Sequence, residues 1–288
     1  MLNKLRRFLE PRAAAIPDPL WEAQLHRFAP LLQLAAPQRL RLRALCGQFL
    51  GQKAMTGAAG LTLTAEMELH IAAQACLPVL HLGLAWYRGW HGIVVYPARF
   101  RVRRRIQEDN GLERESDEEL AGEAWDGGPV VLSWADSAPA PGHADGPADE
   151  RIAGNVVIHE FAHTLDLLDG SADGIPPLDR RLHAGLDRGA WARVLDDAYE
   201  RFCAELDLTD SELPADVDPE SPAADPYYAH LPLDPYAATD PAEFFAVSSE
   251  ALFVQPQGLA SAFPAWHEQL RRFYRLDGGA GAVPPAGA

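Results

Sequence analysis

Apolar residues recur at intervals of three and four through the first part of the chain. Leu20, Trp21, Leu25, Phe28, Leu31 and Leu32 fall on one helical face, and Pro30 bends or interrupts that segment. Leu40, Leu42, Leu45, Phe49 and Leu50 repeat the pattern after Pro37, so residues 20–53 read mostly as helix. Residues 65–77, rich in Ala and Met, predict a third helix. Met55, Met67, His70 and Cys76 read as packing residues of this region. The pattern then changes. GIVVYP reads as a strand that ends at Pro97, and PVVLSW predicts a second strand over 129–134.

The stretch SAPAPGHADGPADE, residues 137–150, has the Pro, Gly and acid content of a surface loop. A helix is expected to begin near Asp149, with Ile152, Val156, Phe161, Ala162 and Leu165 as its apolar contacts. Gly170 to Pro177 reads as a turn, and helix resumes near Asp179 and runs to Cys203. Residues 207–235, acidic and Pro-rich, read as a long loop. Another helix is expected from Pro241 to about Phe253, with Asp240 as N-cap, Pro241 at the first helical position and Glu243 at the third. Phe263, Trp266, Leu270, Phe273 and Tyr274 mark a last helix around 264–276. Helices around a small β-sheet define an α+β class. The expected organisation is a flexible segment over 1–15, a single domain over 16–276 with room for two lobes around a cleft, and a disordered tail over 277–288.

Charge narrows the partners. The 288 residues carry 25 Lys plus Arg against 41 Asp plus Glu, a formal net charge of -16. So acidic a chain repels a nucleic-acid backbone, and no direct nucleic-acid partner is expected. No stretch reaches the roughly 18 uncharged apolar residues of a membrane span, and the N-terminus has no apolar core of a signal peptide before Glu10 and Pro11. Cys46, Cys76 and Cys203 are odd in number and lack CxxC spacing. That argues against a disulfide scaffold and for a reducing, cytoplasmic setting.

The sharpest chemical feature is His159-Glu160-Phe161-Ala162-His163. On a helix, positions i and i+4 share a face, so two imidazoles can converge on one Zn²⁺. Glu160 can then hold a carboxylate beside the metal's water and take its proton. The rival readings are a structural histidine pair and a noncatalytic metal clamp. The apolar setting, VVIHEFAHTLDLL, makes buried imidazoles that need partners. A catalytic zinc normally takes three protein ligands. The metzincin extension fails, because its Gly and His offsets hold Asp166 and Asp169, though either acidic residue could ligate or orient a histidine. Among downstream carboxylates Glu243 is best placed, in the apolar run TDPAEFFAVSSEALF. The same residue would also serve as capping partner of Asp240, and Glu250 lies close to the same face.

These residues sit in longer matching stretches: LWEAQL, KAMTGAAGLTLTAEM, IAAQACLPVLHLGLAWYRGW, IVVYP, VVLSW, NVVIHEFAHTLDLLDG and YAATDPAEFFAVSSEALF. Across residues 15–276 the chain resembles the Mlc titration factor A family, glucose-regulatory zinc peptidases related to the catalytic domain of anthrax lethal factor. The resemblance implies a zincin-like fold and a zinc site of His159, His163 and Glu243. It further implies Glu160 as base and Tyr236 as active-site phenol, a role for which Tyr227 and Tyr228 compete on the residues alone. It implies an aminopeptidase-like peptidase acting on peptide or protein substrates with small N-terminal residues. A second implied function is sequestration of a glucose-responsive transcriptional repressor, which affects expression of the glucose phosphotransferase system. The stretch ESPAADPYYAHLPLDP departs from the family by its extra length, and it adds His230.

Overall fold

Why the chain alternates between helix and sheet follows from its punctuation, and the computed structural model describes this over residues 13–90, 92–107, 113–124, 127–138, 154–219 and 221–276. The side chains of residues 101–119 lie outside that description. So do the ends of the chain, residues 1–12 and 277–288, most of the expected 137–150 loop, and the expected helix start near Asp149.

Helices α1 (Asp18–Arg27) and α2 (Ala36–Gln52) are separated by a 3-10 turn, Ala29–Gln33, that carries Pro30 near its start. Proline at an initial position costs no helical hydrogen bond, so each proline begins an element here and does not break one. Strand β1 (Ala54–Gly57) follows, then α3 (Ala65–Cys76), whose N-cap Thr64 accepts from Met67 N–H. Next come β2 (Gly92–Tyr96), β3 (Phe100–Gln107), β4 (Glu113–Leu120), β5 (Gly122–Ala124) and β6 (Val130–Ser133), with the short helix α4 (Trp134–Ser137) after them. One sheet has the order β1-β2-β6-β5. β1, β2 and β6 are parallel, and β5 is antiparallel to β6. A parallel neighbour needs a crossover connection, and α3 lies in the one from β1 to β2. Ile93 and Val95 of β2 register with Val130 and Leu132 of β6, and all four are buried. The fold is α+β and mostly helical, with this small mixed sheet.

The two sequence-expected strands are β2 and β6. The short strands β1 and β5 and the hairpin β3–β4 were not anticipated. The hairpin has little hydrophobic alternation to announce it. Its register instead sets Arg101, Arg103 and Arg105 opposite Glu119, Asp117 and Glu115.

The HEFAH segment forms α5 (Val156–Asp166). Beyond it lie α6 (Arg188–Glu212), α7 (Asp225–Tyr228), α8 (Pro241–Val254), α9 (Pro256–Ala262) and α10 (Pro264–Phe273). The expected helix over 179–203 needs correcting at both ends. Asp187 caps α6 by accepting from Ala190 N–H, which fixes its start, and the helix continues to Glu212, six residues into the expected loop. The rest of that loop is not featureless, since Ala224, Leu231 and Leu233 are buried.

Backbone contacts divide the chain into two units. The first holds residues 1–77, 87–149 and 155–164. Its aromatic core is Phe49, Tyr87, Trp90 and Phe161, with the Phe161 ring 5.0 Å from Tyr87 and 5.5 Å from Trp90. The second holds residues 78–86, 150–154 and 165–288. Its core centres on Trp191, whose ring lies 4.9 Å from Trp266 and 5.5 Å from Phe273. The Trp191 indole N–H donates to Gly174 O at 2.8 Å, which satisfies the polar edge of a buried ring.

Candidate metal centre

The site starts at the helix cap. Asn155 Oδ1 accepts from Ile158 N–H at 2.9 Å, while its Nδ2 donates to Gln74 Oε1 at 2.6 Å. One side chain thus satisfies an orphan donor of α5 and ties the helix start to α3. The preference for Asn at N-caps was a usable signal for Asn155. It was missed because the helix was sought from Asp149. Buried side chains hold the helix on its apolar face: Val157, Ile158, Phe161, Ala162 and Leu165.

On another face His159 and His163 stand one turn apart. Their rings lie 4.7 Å apart at 75°, and their Nε2 atoms are 3.1 Å apart. Two imidazole nitrogens about 2.0–2.1 Å from one tetrahedral ion would be separated by roughly 3.3 Å, so the observed spacing is close to what a shared cation requires. Glu243 supplies the next donor. One ligand atom from each of His159, His163 and Glu243 lies within 4.8 Å of the others. Two neutral nitrogen donors and one carboxylate oxygen suit a first-row divalent ion, so the residues present fit a bound metal.

The start of α8 positions Glu243. Asp240 caps α8 by accepting from both Ala242 N–H and Glu243 N–H through Oδ1, at 2.8 and 2.9 Å. The cap uses the backbone N–H of Glu243 and not its carboxylate. Glu160, between the two histidines in sequence, is buried to 4% exposure.

Tyr236 lies on the 3-10 turn Pro235–Ala238 that leads into α8 and is 50% exposed. Asp234 caps this turn by accepting from Tyr236 N–H at 2.9 Å. Asp166 and Asp169 are engaged elsewhere. The wholly buried Asp166 accepts from Gly174 N–H at 2.8 Å, and Asp169 pairs with Arg188 at 2.9 Å. His230 is exposed, contacts Tyr227 O and Thr209 Oγ1, and is not among the grouped ligands. Glu250 is buried, and its carboxylate approaches Gly154.

Sequence comparison places the chain among the metallopeptidases. It belongs to the family described as glucose-regulated metallo-peptidase M90, whose model matches residues 2–275. Its relatives include proteins named Mlc titration factor A. That of Serratia proteamaculans (strain 568) is 36% identical over 250 residues, covering 86% of this chain and 84% of the relative. That of Salmonella arizonae is 36% identical over 261 residues, 90% of this chain and 92% of the relative. The Klebsiella pneumoniae protein is 36% identical over 258 residues, with 89% and 86% coverage.

Proposed function

We propose that the chain is a zinc-dependent peptidase with aminopeptidase-like preference for small N-terminal residues. In this reading His159, His163 and Glu243 hold Zn²⁺, Glu160 is the general base and Tyr236 is an oxyanion donor. The observation that carries the reading is the grouping of three ligand atoms of the right chemistry, with a buried glutamate beside the first histidine. Bound zinc would polarise the scissile carbonyl and make a water acidic enough to be deprotonated near neutral pH. A Glu160 carboxylate oxygen accepts that water's proton and returns it to the departing amine nitrogen. The burial of Glu160 keeps competing solvent away from the proton it carries. The Tyr236 hydroxyl donates to the carbonyl oxygen as negative charge develops there. Its half-exposed turn lets the phenol reach an incoming substrate.

Hydrolysis of an alanyl amide and of mixed peptides by the zinc-loaded protein tests this reading, with Glu160→Gln compared at matched metal content. The expected result is loss of at least about 10²-fold in kcat with the metal retained. Equal rates in the two proteins would remove Glu160 from the mechanism.

A second reading rests on the name of the relatives, which marks them as titrating factors for Mlc. We propose that this chain also sequesters a glucose-responsive transcriptional repressor. Binding of that kind needs a protein surface and not a proton-transfer group. Glu160→Gln should therefore capture the repressor as well as wild type does, and loss of capture in this variant would count against an independent binding function.

A further inference from the structure

Strand β5 brings backbone against the side chain of Glu160. A Cβ built on Gly122 would stand 2.3 Å from Glu160 Oε1, 2.6 Å from its Cγ and 2.7 Å from its Cδ. Three successive atoms of the glutamate thus fill the space that any other residue's side chain would take. Turning the carboxylate about its last bond would not relieve the contact with Cγ, so the whole side chain would have to swing. Nor can the strand withdraw easily. Gly122 pairs with Leu132 of β6, which is wholly buried, and Ser133 N–H donates to Ala121 O at 2.7 Å. The helix is equally fixed, because its neighbouring residue Phe161 is packed among Phe49, Tyr87 and Trp90.

We propose that Gly122 is a positioning residue for Glu160: a strand without a side chain at this point leaves open the space that the glutamate side chain occupies. Among residues with a Cβ none fits without displacing the glutamate. The consequence for chemistry rests on the reading of Glu160 as general base, whereas the steric coupling of the two residues does not.

The test is a two-by-two set of full-length proteins: wild type, Gly122→Ala, Glu160→Ala and the double variant. Crystal structures, thermal unfolding, zinc content and alanyl amide hydrolysis are measured on each. In Gly122→Ala the Glu160 carboxylate should be displaced by about 1 Å or more, and kcat should fall on the order of 10²-fold. KM should stay within about twofold and zinc content should not change, because neither the substrate-binding groups nor the ligands are altered. Gly122→Ala should lower the melting temperature in the presence of Glu160 and not in the Glu160→Ala background, where the space is free. An undisplaced Glu160 in the Gly122→Ala structure, or the same stability change in both backgrounds, overturns the proposal. If Glu160→Ala keeps full hydrolysis, the general-base reading fails, while the structures and melting temperatures still decide the coupling.

Discussion

At the scale of single residues, burial sets the chemistry of two groups outside the candidate centre. His70 on α3 is 2% exposed, and burial pushes its pKa down to about 4 from an ordinary 6.5. The carbonyl of Ser137, which accepts from Nε2 at 3.0 Å, offsets part of that effect, and the charge of Arg27 adds to it. In the neutral ring that this lowered pKa favours, Nε2 donates and Nδ1 accepts, with Gln24 Nε2 3.1 Å from it. The folded state therefore holds a neutral ring. Because the folded pKa lies below the unfolded one, the unfolded chain binds more protons between pH 6.5 and 4. The contribution is complete above about pH 6.5 and is lost as pH falls towards 4, about 3 kcal/mol in all. Denaturant titrations across that window should show this slope in wild type and a flatter one in His70→Gln. Lys53 gives a second case. Its ammonium donates to the carbonyls of Tyr87 and Trp90 and lies 3.8 Å from the Trp90 ring centroid. Lys53→Met keeps the stem but removes both bonds and the cation, and should cost about 2 kcal/mol in denaturant unfolding.

Between single residues and the molecule stand the elements, where caps decide most of what happens near the centre. Asn155 both caps α5 and bonds Gln74 of α3. Asn155→Ala should cost about 1–2 kcal/mol, and Asn155→Asp, which keeps the capping oxygen, should recover much of it. Equal loss in the two variants would place the effect in the Gln74 bond instead. Caps also show how much of the fold was legible. Asp240 with Pro241 announced α8 from sequence, and the helix begins at Pro241. Apolar residues at intervals of three and four announced α1 and α2, and Ala- and Met-rich composition announced α3, which is buried on nearly every side. The strands β1 and β5 have only four and three residues, too few for alternation to be visible. The hairpin β3–β4 pairs basic with acidic positions, a cross-strand pattern that only a known register reveals. Of the candidate centre, His159, Glu160 and His163 were readable because four residues of helix place both imidazoles. Glu243 stood out among the downstream carboxylates by its apolar run, and the family resemblance added the ligand role. Gly122 left no trace in the sequence, since its role is to have no side chain where another residue's carboxylate lies.

For the whole molecule, the proposed metal centre would draw its ligands from distant parts of one chain. The two histidines proposed as ligands sit on α5 and Glu243 on α8, with all of α6 and α7 lying between them in sequence. The unfolded chain cannot hold these three groups together without the entropy cost of closing that long loop. An ion bound by all three therefore favours the native state, and at a thousand times its dissociation constant the gain is about 4 kcal/mol. Removing metal from the purified protein with a chelator should lower the melting temperature by several degrees, and adding Zn²⁺ back should restore it. Glu243→Gln offers a weaker oxygen donor and no charge, so its response to chelation should be much smaller. His230→Gln should respond as wild type does, because His230 binds Thr209 and Tyr227 O and belongs to none of the grouped ligands. If chelation changes neither wild type nor Glu243→Gln, the three side chains do not hold an ion together, whatever rate of hydrolysis the protein shows. If wild type responds and Glu243→Gln responds equally, the histidines hold the ion without the glutamate, and the third ligand must be sought on another segment.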